Sequence, residues 1–120
     1  MPHLTIEYTG NLRTLDTQAL LTDANRRLAA SGHFAEGDIK SRARQQDAFR
    51  IGTSDDSRAF VHATLAILPG RSDEVKALLS SLVLEALQAH APPNHPELQL
   101  CAAVEEIHGP SYAKRALAAA

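Results

Sequence analysis

In MPHLTIEY, Leu4, Ile6 and Tyr8 alternate with His3, Thr5 and Glu7, a period of two that predicts a strand with one face toward a core. GNLRT turns the chain. The period then lengthens: Leu15, Ala19, Leu20, Ala24 and Leu28 share one helical face, with Thr14 or Asp16 to cap its start and Gly32 where a C-terminal cap glycine belongs. After GHFAEGD the alternation returns as Ile39, Ser41 and Ala43 against Lys40, Arg42 and Arg44, so a second strand sets its cations on one face. GTSDDS reads as a loop or a hairpin tip.

The second half repeats the plan. Phe60 to Leu68 is a strand, and PGRSDE is a turn in which Ser72 caps a helix with Asp73 and Glu74 in its first turn. Val75, Leu78, Leu79, Leu82, Ala86 and Leu87 form its apolar face, APPNHP ends it, and Leu98 to Ile107 is the last strand. HGPSYAKRALAAA follows as a short helix or an arm that clasps a partner. Shifting the chain so that Pro2 falls on Val61 also lays His3 on His62, Thr5 on Thr64, Leu20 on Leu79, Ala24 on Val83, Leu28 on Leu87 and Ile39 on Leu98. The expected fold is therefore α+β in two layers: duplicated β-α-β units, a four-stranded mixed sheet, both helices on one face, an extra hairpin and a C-terminal tail. Residues 1–120 are expected to form one domain with pseudo-repeat units 2–50 and 59–108. The other sheet face is left bare, which predicts a closed homo-oligomer.

Composition narrows the function. Hydrophobic residues are 44% and charged residues 22% of the chain, which is globular usage rather than disorder. Aromatics are 4% with no Trp, so the core falls to Leu, Val, Ile and Ala, and stacking platforms for single-stranded nucleic acid are missing. The net charge of −2 argues against nucleic acid or an anionic membrane as partner, and any cationic site must be local. Cys101 is the one cysteine, which precludes an intrachain disulfide and fits a reducing compartment. No apolar stretch approaches the roughly 20 residues of a membrane span and no basic, apolar leader opens the sequence, so a cytoplasmic location is expected.

Pro2 is the first candidate for chemistry. With Met1 removed, as a small second residue permits, the terminus is a secondary amine whose nitrogen the ring holds in a fixed direction. An α-amino group titrates at about 7.7–8.0, and burial or nearby cations lower it, giving a base that can take a proton and return it elsewhere. A proline behind the initiator is also simply tolerated in many proteins. Arg71, just ahead of a predicted helix, can share a carboxylate with unpaired backbone N–H groups; the other reading is a turn arginine paired with Asp73 or Glu74. Lys40, Arg42 and Arg44 repel one another unless their face is solvated or meets an anion. His90 and His95 flank APPN without a third ligand at metal spacing, so no metal is expected. Cys101 reads as a small core residue, and Glu105 and Glu106 point to opposite faces of a strand.

A proline behind Met1 opening a strand, an ungapped duplication, and ILPGRSDEVK leading into the second helix together resemble the tautomerase superfamily. Its short members, the 4-oxalocrotonate tautomerases, have one β-α-β unit that begins with the catalytic proline and carries a GRSxExK-like turn. Val61 through Glu106 is similar to such a unit, with Gly70, Arg71, Ser72, Glu74 and Lys76 matching the turn and Val61 in the proline's place. The first half keeps Pro2 but has Leu12 opposite Arg71, so a joint site requires different units, or different subunits, to meet. Over nearly its whole length the chain more closely resembles the 5-carboxymethyl-2-hydroxymuconate Δ-isomerases, trimers of fused units in homoprotocatechuate breakdown. MPHLTIEY, NLRTLD, LAASGHF, IKSRA, AFVHATLAI and GRSDEVK carry that resemblance. Relatives have arginine where Lys40 stands, which keeps the charge and removes one bidentate fork, and the tail after His108 diverges.

The resemblance implies a proton transfer without cofactor or metal. Pro2 takes the proton from the 2-hydroxyl of a hydroxymuconate-type dienol and delivers it to carbon five, while Arg71, Arg42 and Lys40 hold the carboxylates and developing oxyanion of a small polycarboxylate substrate. Two other functions fit many of the same residues: a phenylpyruvate-type ketonisation with fewer cations, and a non-catalytic oligomeric module that binds anions.

Overall fold

The opening alternation forms β1 (His3–Thr9) in a computed structural model that describes residues 1–120. Leu4 and Ile6 are fully buried, and His3, Thr5 and Glu7 lie half-buried on the opposite face. α1 spans Thr17–Ala30, and of its two candidate caps Asp16 is used: its Oδ1 accepts from the Ala19 amide at 3.0 Å. Gly32 follows with φ 79°, the left-handed conformation that ends a helix and favours glycine. β2 runs Lys40–Gln46 and β3 Arg58–Ile67. α2 spans Asp73–Ala89, where Ser72 Oγ accepts from the Val75 amide at 3.2 Å as the sequence predicts, and β4 spans Glu97–Glu106.

The sheet order is β2-β1-β3-β4, with parallel outer pairs and an antiparallel centre. Each outer pair is the two ends of one β-α-β unit. Thr5 and Thr64, equivalent in the repeat, stand directly opposite each other in the β1–β3 ladder, so a local two-fold passes between them. Leu20, Ala24 and Leu28 of α1 and Leu79, Val83, Ala86 and Leu87 of α2 pack on one sheet face in a single cluster of 16 buried residues. Burial of each Leu or Ile there contributes about 1.5–3 kcal/mol, which fills the role that large aromatics play in other cores.

The opposite face is uncovered and mixed in character. Lys40, His3, Ala66 and Glu105 form one row across it, Arg42, Thr5, Thr64 and Ala103 the next, and Arg44, Glu7, His62 and Cys101 a third.

Two sequence expectations change. In place of an extra hairpin there is a loop between β2 and β3, because β1 lies between those strands and keeps them from pairing. Arg50 ties that loop, donating to the Ser54 carbonyl at 3.1 Å and to Asp55 at 2.8 Å. Cys101 is exposed rather than in the core: Leu98, Leu100, Ala102 and Val104 take the helix-facing side of β4 and turn it to the bare face. The tail, read as a short helix or an arm, contains a short 3₁₀ helix, Gly109–Ser111.

Candidate active site at the head of the first strand

Because β1 runs against β3 and each outer strand runs with its neighbour, the starts of β1 and β2 and the ends of β3 and β4 lie at one end of the sheet. Pro2, Lys40, the Arg71 turn and the tail converge there. Pro2 and Arg71, from different units, thus reach the same end of one sheet within a single chain.

The Pro2 side chain is fully buried, and its carbonyl accepts from the Lys40 amide at 3.1 Å, extending the β1–β2 ladder by one step. The amine itself is one residue further out, on Met1. Burial first, then a hydrogen bond and charge repulsion from Lys40, and more weakly the Lys114 ammonium, hold that amine below its ordinary value of 8.0; Asp38 opposes them. Lys114 is itself held by Asp38 at 2.8 Å, which lays the tail across the start of β2.

Arg42 points toward the same end. Its Nη2 donates to His3 Nδ1 at 2.7 Å. A guanidinium has no lone pair to offer, so Nδ1 accepts and the ring proton sits on Nε2, which donates to Tyr112 Oη at 3.3 Å. Burial, then the charges of Arg42 and Lys40, push the His3 imidazole below its ordinary 6.5. Arg44 lies two rows away, about 13 Å along β2 from Lys40 at the usual rise of a strand.

Arg71 pairs with neither Asp73 nor Glu74. Its Nη2 donates to the His33 carbonyl at 2.9 Å and its guanidinium stacks on Phe34, 4.7 Å from the ring centroid, while Lys76 takes Asp73 and Glu106. The loop after α1 therefore presents Arg71 as a cation free of any acid. Ser72 already satisfies the Val75 N–H at the start of α2. His90 bonds Asp23 and His95 the Pro96 carbonyl, and no three His, Cys, Asp or Glu side chains converge to hold a metal.

The profile of the family described as 5-carboxymethyl-2-hydroxymuconate isomerase matches residues 2–119. The chain belongs to the 5-carboxymethyl-2-hydroxymuconate isomerase family. It is 32% identical over 111 residues to the 5-carboxymethyl-2-hydroxymuconate Delta-isomerase of Escherichia coli, covering 90% of this chain and 88% of that one. The crystal structure of a 5-carboxymethyl-2-hydroxymuconate isomerase from Deinococcus radiodurans R1 superposes with a TM-score of 0.86 at 34% identity, over 95% of this chain and 88% of that chain. A fused 4-OT symmetric trimer shares the fold alone, with a TM-score of 0.64 at 18% identity over 88% of this chain and 85% of that one.

The chain is accordingly an isomerase of the tautomerase superfamily. For this family member the sequence reading passed over His3 and Tyr112, which join the neighbourhood of Pro2 and Arg42. His3 was legible in part: period two places it on the same side of β1 as the register later shows for Arg42 on β2. No pattern in the tail marks Tyr112.

Proposed function

We propose that the chain ketonises a 2-hydroxymuconate-type dienol, 5-carboxymethyl-2-hydroxymuconate, through the amine of Pro2, as a cytoplasmic homotrimer in the breakdown of aromatic compounds. The observation that carries this reading is Pro2 buried at the head of β1 beside Lys40. Once Met1 is removed, the amine moves one residue inward, onto Pro2, where the charge of neighbouring Lys40 favours its neutral form. A neutral secondary amine then takes the proton of the 2-hydroxyl. The O–H pair becomes the carbonyl π bond, the pair between carbons two and three moves between three and four, and the pair between four and five takes the proton back from nitrogen at carbon five. Substrate and product are isomers, so the step balances with no co-reactant.

Arg71, Arg42 and Lys40 hold the carboxylates and the developing enolate charge. Each is a cation without an acid partner in the chain. Among the surface depressions of the single chain none includes Pro2, and a neighbouring subunit over this end would exclude water and strengthen these charges. The trimeric fused 4-OT structure of the same fold supports that assembly.

The test is spectroscopic. The mature protein should bleach the dienol absorbance, and a form carrying one extra residue ahead of Pro2 should lose about 10²–10⁴ of the rate. Equal rates would refute the proline mechanism, and an enol of phenylpyruvate turned over as fast as the dienol diacid would favour a monocarboxylate substrate.

A further inference from the structure

We infer that His3 is a positioning residue: through Nδ1 it holds the Arg42 guanidinium toward the amino-terminal end of the sheet, and Tyr112 of the tail fixes the tautomer that leaves Nδ1 free to accept. This rests on the reading of Arg42 as a carboxylate clamp, and it adds the device that aims the clamp.

The strand register makes the choice visible. Across the β1–β2 ladder Arg42 stands opposite Thr5, with two diagonal neighbours on its face: His3 toward Pro2 and Glu7 away from it. Charge alone would turn Arg42 to Glu7. Instead Glu7 accepts from Gln46 Nε2 at 3.1 Å, and Arg42 donates to His3 at 2.7 Å. β2 is an outer strand and Arg42 is exposed, so without that bond Glu7 would be the diagonal neighbour left to attract it.

A histidine suits the task better than an acid. A carboxylate would hold the guanidinium more strongly but would cancel its charge and compete with the ligand's carboxylate. A neutral imidazole occupies one N–H and leaves the other four, with the full charge, for the substrate. The arrangement requires an uncharged ring, since a second proton on Nδ1 would set cation against cation. The groups facing His3 are Arg42 and Lys40 of β2, the chain's amine, and Lys114 and Tyr112 of the tail; Ala66, opposite on β3, brings no charge. The repeat supplies a contrast: where His3 has Lys40 opposite and Arg42 on the diagonal, His62 has Cys101 opposite and Ala103 on the diagonal, neither of them a cation.

The experiment measures binding of an unreactive dicarboxylate, cis,cis-muconate, by calorimetry, so it does not depend on turnover. Wild type, Arg42→Ala, His3→Ala, His3→Asn and the His3→Ala/Arg42→Ala double variant are compared, with thermal unfolding to confirm folding. Asparagine is the conservative variant because its Oδ1 accepts from about the place of Nδ1. Loss of a hydrogen bond to a charged group predicts that His3→Ala weakens binding about tenfold, that His3→Asn returns most of it, and that the double variant is no weaker than Arg42→Ala. Nitrogen-15 shifts of the His3 ring should place its proton on Nε2, and Tyr112→Phe should weaken binding by a smaller factor. If Arg42→Ala binds as wild type, the clamp reading fails and the inference with it. If Arg42→Ala is impaired while His3→Ala is not, or His3→Asn is no better than His3→Ala, or the proton lies on Nδ1, the inference alone is overturned.

Discussion

The two β-α-β units are built on one frame and diverge where charge is needed. Their cores correspond position for position, Leu20 with Leu79, Ala24 with Val83 and Leu28 with Leu87, all buried. Their heads do not. Pro2 precedes β1, and its repeat equivalent Val61 lies inside β3 with strand on both sides. By the strand registers, Lys40 and Arg42 of β2 correspond to Cys101 and Ala103 of β4, which carry no charge. The turn ahead of the helix reverses the pattern, for Leu12 is buried in the core and Arg71 stands on Phe34 as a cation. Packing constrains both units alike, so the duplication survives in the core. A free amine is available only at a chain end, and on the proposed mechanism only the first unit can keep the base. The antiparallel β1–β3 pairing then brings the second unit's arginine to the same end of the sheet.

The largest effects are expected in the shared frame. Leu28→Ala and Leu87→Ala each remove a fully packed side chain and should destabilise by about 2–5 kcal/mol, read from denaturant midpoints at one protein concentration. A loss under about 1 kcal/mol at either position would break the equivalence of the cores. Next comes the reversed pair. Arg71→Ala should raise KM for dicarboxylates about tenfold, and by more than for monocarboxylates, whereas Leu12→Ala should lower the melting temperature and leave that ratio alone. An equal loss on both substrate classes would remove Arg71 from carboxylate binding.

The smallest effect concerns His3 of the first unit. His3 titrates below 6.5 when folded, so between its lowered value and 6.5 the unfolded chain binds more protons and stability rises with pH. That contribution is complete above 6.5 and is lost as pH falls through the lowered value. Acid sensitivity of the melting temperature should therefore shrink in His3→Asn; an unchanged sensitivity would contradict the environment described for His3.

Much of the frame was legible because periodicity is local. The third strand was expected at Phe60 to Leu68 and is Arg58–Ile67, the fourth at Leu98 to Ile107 and is Glu97–Glu106, and the Ser72 cap is as read. Cys101 was misjudged although its signal was present, since Leu98 and Leu100 facing the helices force it to the other side. The expected hairpin failed because neighbours in sequence, β2 and β3, are separated in space by β1. Of the candidate site, Pro2, Lys40, Arg42 and Arg71 stand out by residue type and place in the chain. Their arrangement was hidden, because Arg42 bonding to His3 depends on the register of two strands, and Tyr112 lies in a tail with no period to read.

The central claim is that a proline amine is the proton carrier, and a direct nitrogen-15 titration of proline-labelled protein tests it. The account predicts one amine signal among the proline nitrogens, titrating with the same midpoint as the pH dependence of kcat/KM for the dienol. An active protein whose prolines are all amides, or whose amine titrates apart from the activity, would contradict it.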